Sequence, residues 1–338
     1  MDESGSHRQA GAVDAEKVRA GGREESGVRA EQVSGATAGD RVLVVGAYSV
    51  DLVFRGLAGP VAFGNEVWAQ GFGMVPGGAF TLAMGLRRLG RAAVWAADFG
   101  NDVFSQEVLA VARAEDLNEQ GFRHHPRPVR NVTVALSRPD DRAMIAYEDP
   151  VDARPLGELI ETYRPTALML PFLQYGPDIS EALDIAARLG ATVFMDCQDY
   201  PGSVDMPAVQ KVLGQVDVFA PNSAEALRMT GADTVGEAME VLAGLVSTVV
   251  VKQGDRGAVA AENGVRIAQR SLPVEVADTT GAGDCFNVGF LHRRLEGAAL
   301  AECLAAGVAC GTASVTGTGS SAALDAAGLE RWVARLPA

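Results

Sequence analysis

Between residues 278 and 284 the chain reads Asp-Thr-Thr-Gly-Ala-Gly-Asp, a run of small residues that ends in a carboxylate. Downstream, Phe286, Phe290, Leu291 and Leu295 recur at helical spacing while His292, Arg293, Arg294 and Glu296 fall elsewhere, so the run opens a half-buried helix. Gly281, Ala282 and Gly283 leave their backbone N–H groups uncovered. With the partial positive charge of a helix N-terminus, those donors suit a phosphate. A carboxylate beside a bound phosphate is repelled unless a metal intervenes or the group has a chemical task. For Asp284 the task would be to take a proton from a hydroxyl as it attacks a phosphoryl group. An isolated Gly-x-Gly-Asp is better read as a plain helix cap.

The longer context separates the two readings. Residues 278–291, DTTGAGDCFNVGFL, resemble the signature of the ribokinase-like (PfkB) carbohydrate kinase family, and the resemblance runs from about residue 41 to about residue 325. It implies a transfer of the γ-phosphoryl group of ATP to a hydroxyl of a small sugar or sugar derivative. Asp284 would be the general base, and Gly281, Ala282 and Gly283 the anion hole. ATP and Mg²⁺ are the implied cofactors, with K⁺ an allowed addition. A nucleoside or vitamin kinase of the same family stays open, as does a non-catalytic sugar-sensing protein on the kinase scaffold.

The elements that must position these groups are legible as alternating patterns. Short apolar runs at Val42–Val45, Ala92–Ala97, Ala167–Leu170, Ala191–Met195, Val216–Ala220 and Thr248–Val251 alternate with helical patterns such as Thr81–Leu89 and Ile179–Leu189. That order predicts βαβ units, hence an α/β, doubly wound, mostly parallel sheet with helices on both faces. Val132–Ser137 and Ala143–Tyr147, around Arg138-Pro139-Asp140-Asp141, predict a hairpin, and Val67–Val75 a further extended stretch. The two excursions, near 52–76 and 130–149, predict a small β-sheet standing off the main domain. In the resembled family such a sheet is a lid over the sugar and often a homodimer contact. Residues 40–338 form the expected kinase domain. Residues 1–39 lack Leu, Ile, Phe, Trp and Tyr and are expected to be a disordered tail.

Other constellations fall in order around the signature. Asp51 is expected just beyond the first strand, where open α/β sheets bind ligands. The resemblance makes it a substrate-hydroxyl acceptor with Ser49 as a polar helper. Gly77-Gly78 before a helix permits close ligand approach, and it resembles the family's first signature. The usual spacing is one residue shorter here, and Thr81 stands where Asn is usual. Asn222 and Glu225 have the spacing of a capping box. The resemblance assigns them to the nucleotide phosphates and to Mg²⁺, Glu225 acting through water. Lys252, Gly254 and Gly257 resemble the family's K-x-G-x-x-G segment, and with Thr280 they are the remaining expected nucleotide contacts. Asp278 and Thr280, with the loop at Thr316–Ser321, would form the monovalent-cation site. Arg130 at the hairpin entrance keeps an anionic substrate open, and Asp102 reads as a helix N-cap.

Composition narrows the alternatives. A formal net charge of −14 over 338 residues opposes nonspecific attraction to nucleic acid or to an anionic membrane. No apolar run reaches the length that spans a bilayer, and a cytoplasmic location is expected. Cys197, Cys285, Cys303 and Cys310 show no CxxC spacing, which opposes a zinc site. Gly46-Ala47-Tyr48-Ser49 lacks the dinucleotide fingerprint GxGxxG, and GxxxxGK[ST] does not occur.

Overall fold

The computed structural model describes residues 41–137, 142–198 and 200–337. The expected tail, and the hairpin turn at residues 138–141, lie outside the described residues. From the N-terminal side the elements are β1 (Arg41–Val45), β2 (Tyr48–Arg55), β3 (Gly71–Gly78), α1 (Ala79–Arg88), β4 (Ala92–Phe99) and α2 (Val103–Ala114). There follow β5 (Phe122–His124), β6 (Asn131–Ser137), β7 (Arg142–Glu148), α3 (Leu156–Tyr163), β8 (Ala167–Leu170), α4 (Pro177–Arg188) and β9 (Thr192–Met195). The remainder is α5 (Pro207–Leu213), β10 (Val218–Phe219), α6 (Ser223–Thr230), α7 (Val235–Ala243), β11 (Thr248–Lys252), β12 (Ala258–Glu262), β13 (Val265–Gln269), α8 (Ala282–Leu295), α9 (Leu300–Ser314) and α10 (Ala326–Val333).

Among the described residues, nine strands form one sheet in the order β13-β12-β11-β10-β9-β8-β1-β4-β5. From β11 to β5 every pairing is parallel, and β12 and β13 add an antiparallel edge. Strands buried on both faces need unbroken apolar runs, and Val42, Leu43 and Val44, like Val249, Val250 and Val251, are fully buried. One core packs α1, α8 and α9 on one face of the sheet, and the other packs α3 to α7 on the opposite face. The doubly wound expectation holds.

A separate sheet has the order β3-β2-β6-β7. It differs in detail from the expected lid. β2 starts only two residues after β1 ends and runs through the position expected to be a loop, so Asp51 sits in mid-strand, opposite Val75 and Thr133. β3 starts later than expected and takes in Gly77 and Gly78, which pair with Ser49 and Tyr48. α1 then starts at once, with Gly78 as its N-cap, so there is no loop after the glycine pair. The reason is steric: with no Cβ at either glycine, extended chain passes into helix without a linker. Phe72, Met74, Ile145 and Tyr147 of this sheet are more than a third exposed.

Candidate functional site

α8 begins without a side-chain cap. Its N-cap is Gly281 at φ 75°, a left-handed conformation that costs a side-chain-bearing residue but not glycine. The segment before it is pinned: Asp278 accepts hydrogen bonds from the N–H of Thr280 at 3.0 Å and of Gly319 at 2.9 Å. The Ala277 N–H also donates to the Val315 carbonyl, 2.8 Å away. The Asp278 carboxylate is thus engaged with backbone N–H groups.

Asp284 lies in the first turn of α8 and keeps part of its surface accessible beside the cavity. Its pKa is pushed up to about 7, first by loss of solvent around the carboxyl and then by the negative charge of Asp196, with Asp51 adding to it and Lys252 opposing. Near neutral pH such a carboxylate can take up a proton or give one up.

Beneath that turn is a buried polar cluster. The Lys252 Nζ at the end of β11 donates to Asp196 Oδ2 at 2.6 Å and to Asn287 Oδ1 at 3.3 Å, and the Asn287 amide also donates to Asp196. Asp196 and Asn287 are 7% and 1% exposed. Lys252 is therefore not the solvated strand-end charge that its position suggests. Neither Asp196 nor Asn287 is among the residues singled out in the sequence. The usable signal for Asp196 is its place directly after the apolar run of β9, at the carboxyl end of a parallel strand.

Across the cavity, Ser49 Oγ donates to Asp51 Oδ1 at 3.0 Å. Burial raises the Asp51 pKa, the Ser49 hydrogen bond lowers it and the charge of Asp278 raises it. A Cβ on Gly77 would stand 2.7 Å from both Asp51 Oδ2 and Ser49 Oγ, so the carboxylate has its place only because the paired strand carries glycine there. Thr81 is buried in α1, and a Cβ built on Gly281 would stand 3.4 Å from its Cγ2.

One cavity of about 1200 Å³ is lined by Ser49, Asp51, Gly77, Gly78, Thr81, Thr280, Gly281 and Asp284, together with Ser320. Ser320 stands out in the sequence only as part of the Thr316–Ser321 loop, not as a cavity residue. Asn222, Glu225, Lys252, Gly254 and Gly257 are not in this lining. They form a neighbouring group at the carboxyl ends of β10 and β11. Asn222 bridges to Lys252, the Lys252 N–H donates to the Pro221 carbonyl at 3.0 Å, and Gly254–Arg256 form a single 3-10 turn that Gly257 closes. Asn222 and Glu225 cap each other: Asn222 Oδ1 accepts the Glu225 N–H at 2.9 Å and Glu225 Oε2 accepts the Asn222 N–H at 2.8 Å. Arg130 also borders the cavity, but it is ion-paired to Asp149 at 2.8 Å. Asp102 is an N-cap, accepting from Phe104 and Ser105.

Residues 40–327 match the pfkB family carbohydrate kinase profile. The chain belongs to that family. A ribokinase of Arabidopsis thaliana is 33% identical over 125 residues, 35% of this chain and 32% of that protein. A cytidine kinase of Thermococcus kodakarensis is 34% identical over 103 residues, 30% of this chain and 37% of that protein. The chain thus matches about a third of the length of each of these relatives. Among solved structures, Arabidopsis thaliana ribokinase complexed with ribose and ATP superposes with a TM-score of 0.71 at 20% identity, covering 87% of this chain and 99% of that one. An E. coli protein described as a ribokinase II, in complex with ATP and Mg²⁺, gives 0.73 at 21% identity over 88% of this chain and 99% of the other. These likenesses show the ribokinase-like fold. Among the described residues no helix is long and apolar enough to cross a membrane.

Proposed function

We propose that the protein is a carbohydrate kinase that moves the γ-phosphoryl group of ATP to a hydroxyl of a small sugar-like acceptor. One observation carries the reading. A carboxylate whose pKa is about 7 stands in the first turn of a helix with no side-chain cap, in the cavity that also holds Asp51.

The acceptor binds against Asp51 and the backbone of Gly77 and Gly78, with Ser49 orienting the carboxylate. Asp284 accepts the proton of the attacking hydroxyl. The N–H groups of Gly281 and Gly283 receive the negative charge on the transferring oxygens, where the helix dipole favours it. The Ala282 N–H, expected to be uncovered, donates to the Thr279 carbonyl at 3.3 Å and would have to leave it to join them. Positioning and electrostatics supply most of the rate in phosphoryl transfer. Thr280, Lys252, Gly254 and Gly257 border the nucleotide in this reading, and Asp278 holds the backbone of Thr280 in place. Mg²⁺ takes hard oxygen ligands and keeps several waters. Glu225 fits that donor set through water, since its Oε2 already accepts the Asn222 N–H; when bound, the ion would neutralise phosphate charge. A monovalent cation would sit against the carbonyl groups of residues 278–280 and of the loop after α9.

A nucleoside acceptor is the second reading, favoured by the cytidine kinase relative. ADP release with purified protein and ribose, fructose, fructose 6-phosphate, fructoselysine or cytidine separates the two. Asp284→Ala is the control: the reading requires it to lower turnover about 1000-fold with the fold intact by circular dichroism. Near-normal turnover in that variant would remove Asp284 from the chemistry.

A further inference from the structure

Lys252 occupies a position that stability alone does not explain. Its ammonium lies against the first turn of α8, the positive end of that helix, and a Cβ built on Gly283 would stand 3.3 Å from Nζ. A cation there is repelled by the helix dipole. It also pays for burial, and a buried ion pair seldom stabilises a fold more than apolar packing would. The ion pair with Asp196, at 2.6 Å, and the hydrogen bond to Asn287, at 3.3 Å, offset these costs. An ammonium has three N–H donors, and those two acceptors take two of them. Asn287 and Asp284 are three residues apart on α8, so they share a helix face. The cluster is therefore aimed at the turn that carries the candidate base.

We propose that Lys252 supplies a fixed positive charge to the phosphoryl group held at the N-terminus of α8, and that Asp196 and Asn287 are positioning residues that hold its ammonium beside Gly283. The inference rests on the kinase reading of Asp284 and Gly281–Gly283. In that site the cation and the helix end repel each other until an anion lies between them, and the arriving phosphoryl group is attracted by both. Asp196 holds the ammonium stationary through the ion pair. Gly283 is the opening that admits it.

The test compares Lys252→Met, Lys252→Arg and the double variant Lys252→Met/Asp196→Asn with the parent chain. Turnover is measured with whichever acceptor is most active among those above, or as basal ATP hydrolysis if none responds. Lys252→Met leaves Asp196 buried without its cation, so its activity alone could reflect misfolding. The double variant removes both charges together, and Asn at position 196 can still bond Asn287. A charge role predicts that the double variant melts near the parent temperature yet loses about 100-fold in kcat, the usual effect of removing one donor to a transition-state anion, with a much smaller change in KM for ATP. Lys252→Arg, which keeps the charge, is expected to retain more of kcat than Lys252→Met.

The pH profile gives an independent readout. Asp284 is faced by Asp51 from β2, Asp196 after β9 and Lys252 from β11. Lys252 favours the ionised carboxylate, so Lys252→Met moves the acid limb of kcat to higher pH, whereas Asp196→Asn moves it lower. Recovery of kcat in the double variant to within about threefold of the parent, well below the loss expected for a transition-state donor, would overturn the inference and leave Lys252 a structural residue. Full activity of Asp284→Ala would instead overturn the site reading beneath it. Loss in Asp284→Ala with recovery in the double variant rejects the role of Lys252 alone.

Discussion

Two helices that start near the carboxyl end of the central sheet are built in opposite ways. α6 opens on a closed capping box in which Asn222 and Glu225 satisfy each other's backbone N–H groups. α8 opens on Gly281, has no side-chain cap, and carries a carboxylate with a raised pKa in its first turn. The first arrangement is complete without a ligand. The second leaves donors and charge that an anion would satisfy, so α6 starts with its backbone N–H groups already satisfied and could meet a metal only through water, while α8 starts open to direct contact with an anion.

Gly281→Ala strikes the open end most directly. At φ 75° an added Cβ forces the turn to shift, and a misplaced anion hole is expected to cost about 100-fold in kcat, measured by steady-state ADP release. Unchanged turnover would place the anion elsewhere. The next lever is pH. Asp284 must be ionised to accept a proton, and its pKa lies at about 7, so kcat/KM should fall about tenfold per unit as pH drops below that value. A profile flat down to pH 5, about where an ordinary carboxylate is still ionised, would mean that the base is another group. Asn222→Ala tests the closed end and has the smallest expected effect. Losing the cap should cost about 1 kcal/mol of stability by denaturant titration while kcat changes less than about threefold. A large loss of kcat at full stability would dissolve the contrast and bring α6 into the reaction.

The sequence shows the contrast only in part. Alternating apolar runs disclose the parallel strands and their helices because strands covered on both faces admit little else. The same logic fails at β2, since the chain leaves one sheet and enters another within two residues, with no Pro or Asn-Gly signal, and Asp51 then reads as a loop residue. It fails again at the β12–β13 edge. Asn263-Gly264, both at positive φ, is the two-residue hairpin signal, but the flanking Ala, Glu and Arg are weak strand formers. Asn222 and Glu225 show their cap because its spacing is local. Asp196, Lys252 and Asn287 meet from three distant segments, and no spacing along the chain announces that.

Asp278 does more than anchor one loop. Its carboxylate holds Thr280 on one side and Gly319 on the other, and Thr318, the neighbour of Gly319, accepts a hydrogen bond from Arg55 at the end of β2 at 3.1 Å. A single short stretch of chain is therefore hydrogen-bonded both to the small sheet and to the segment that leads into α8. The small sheet and the start of α8 are thus joined through hydrogen bonds to one shared segment, residues 318–319.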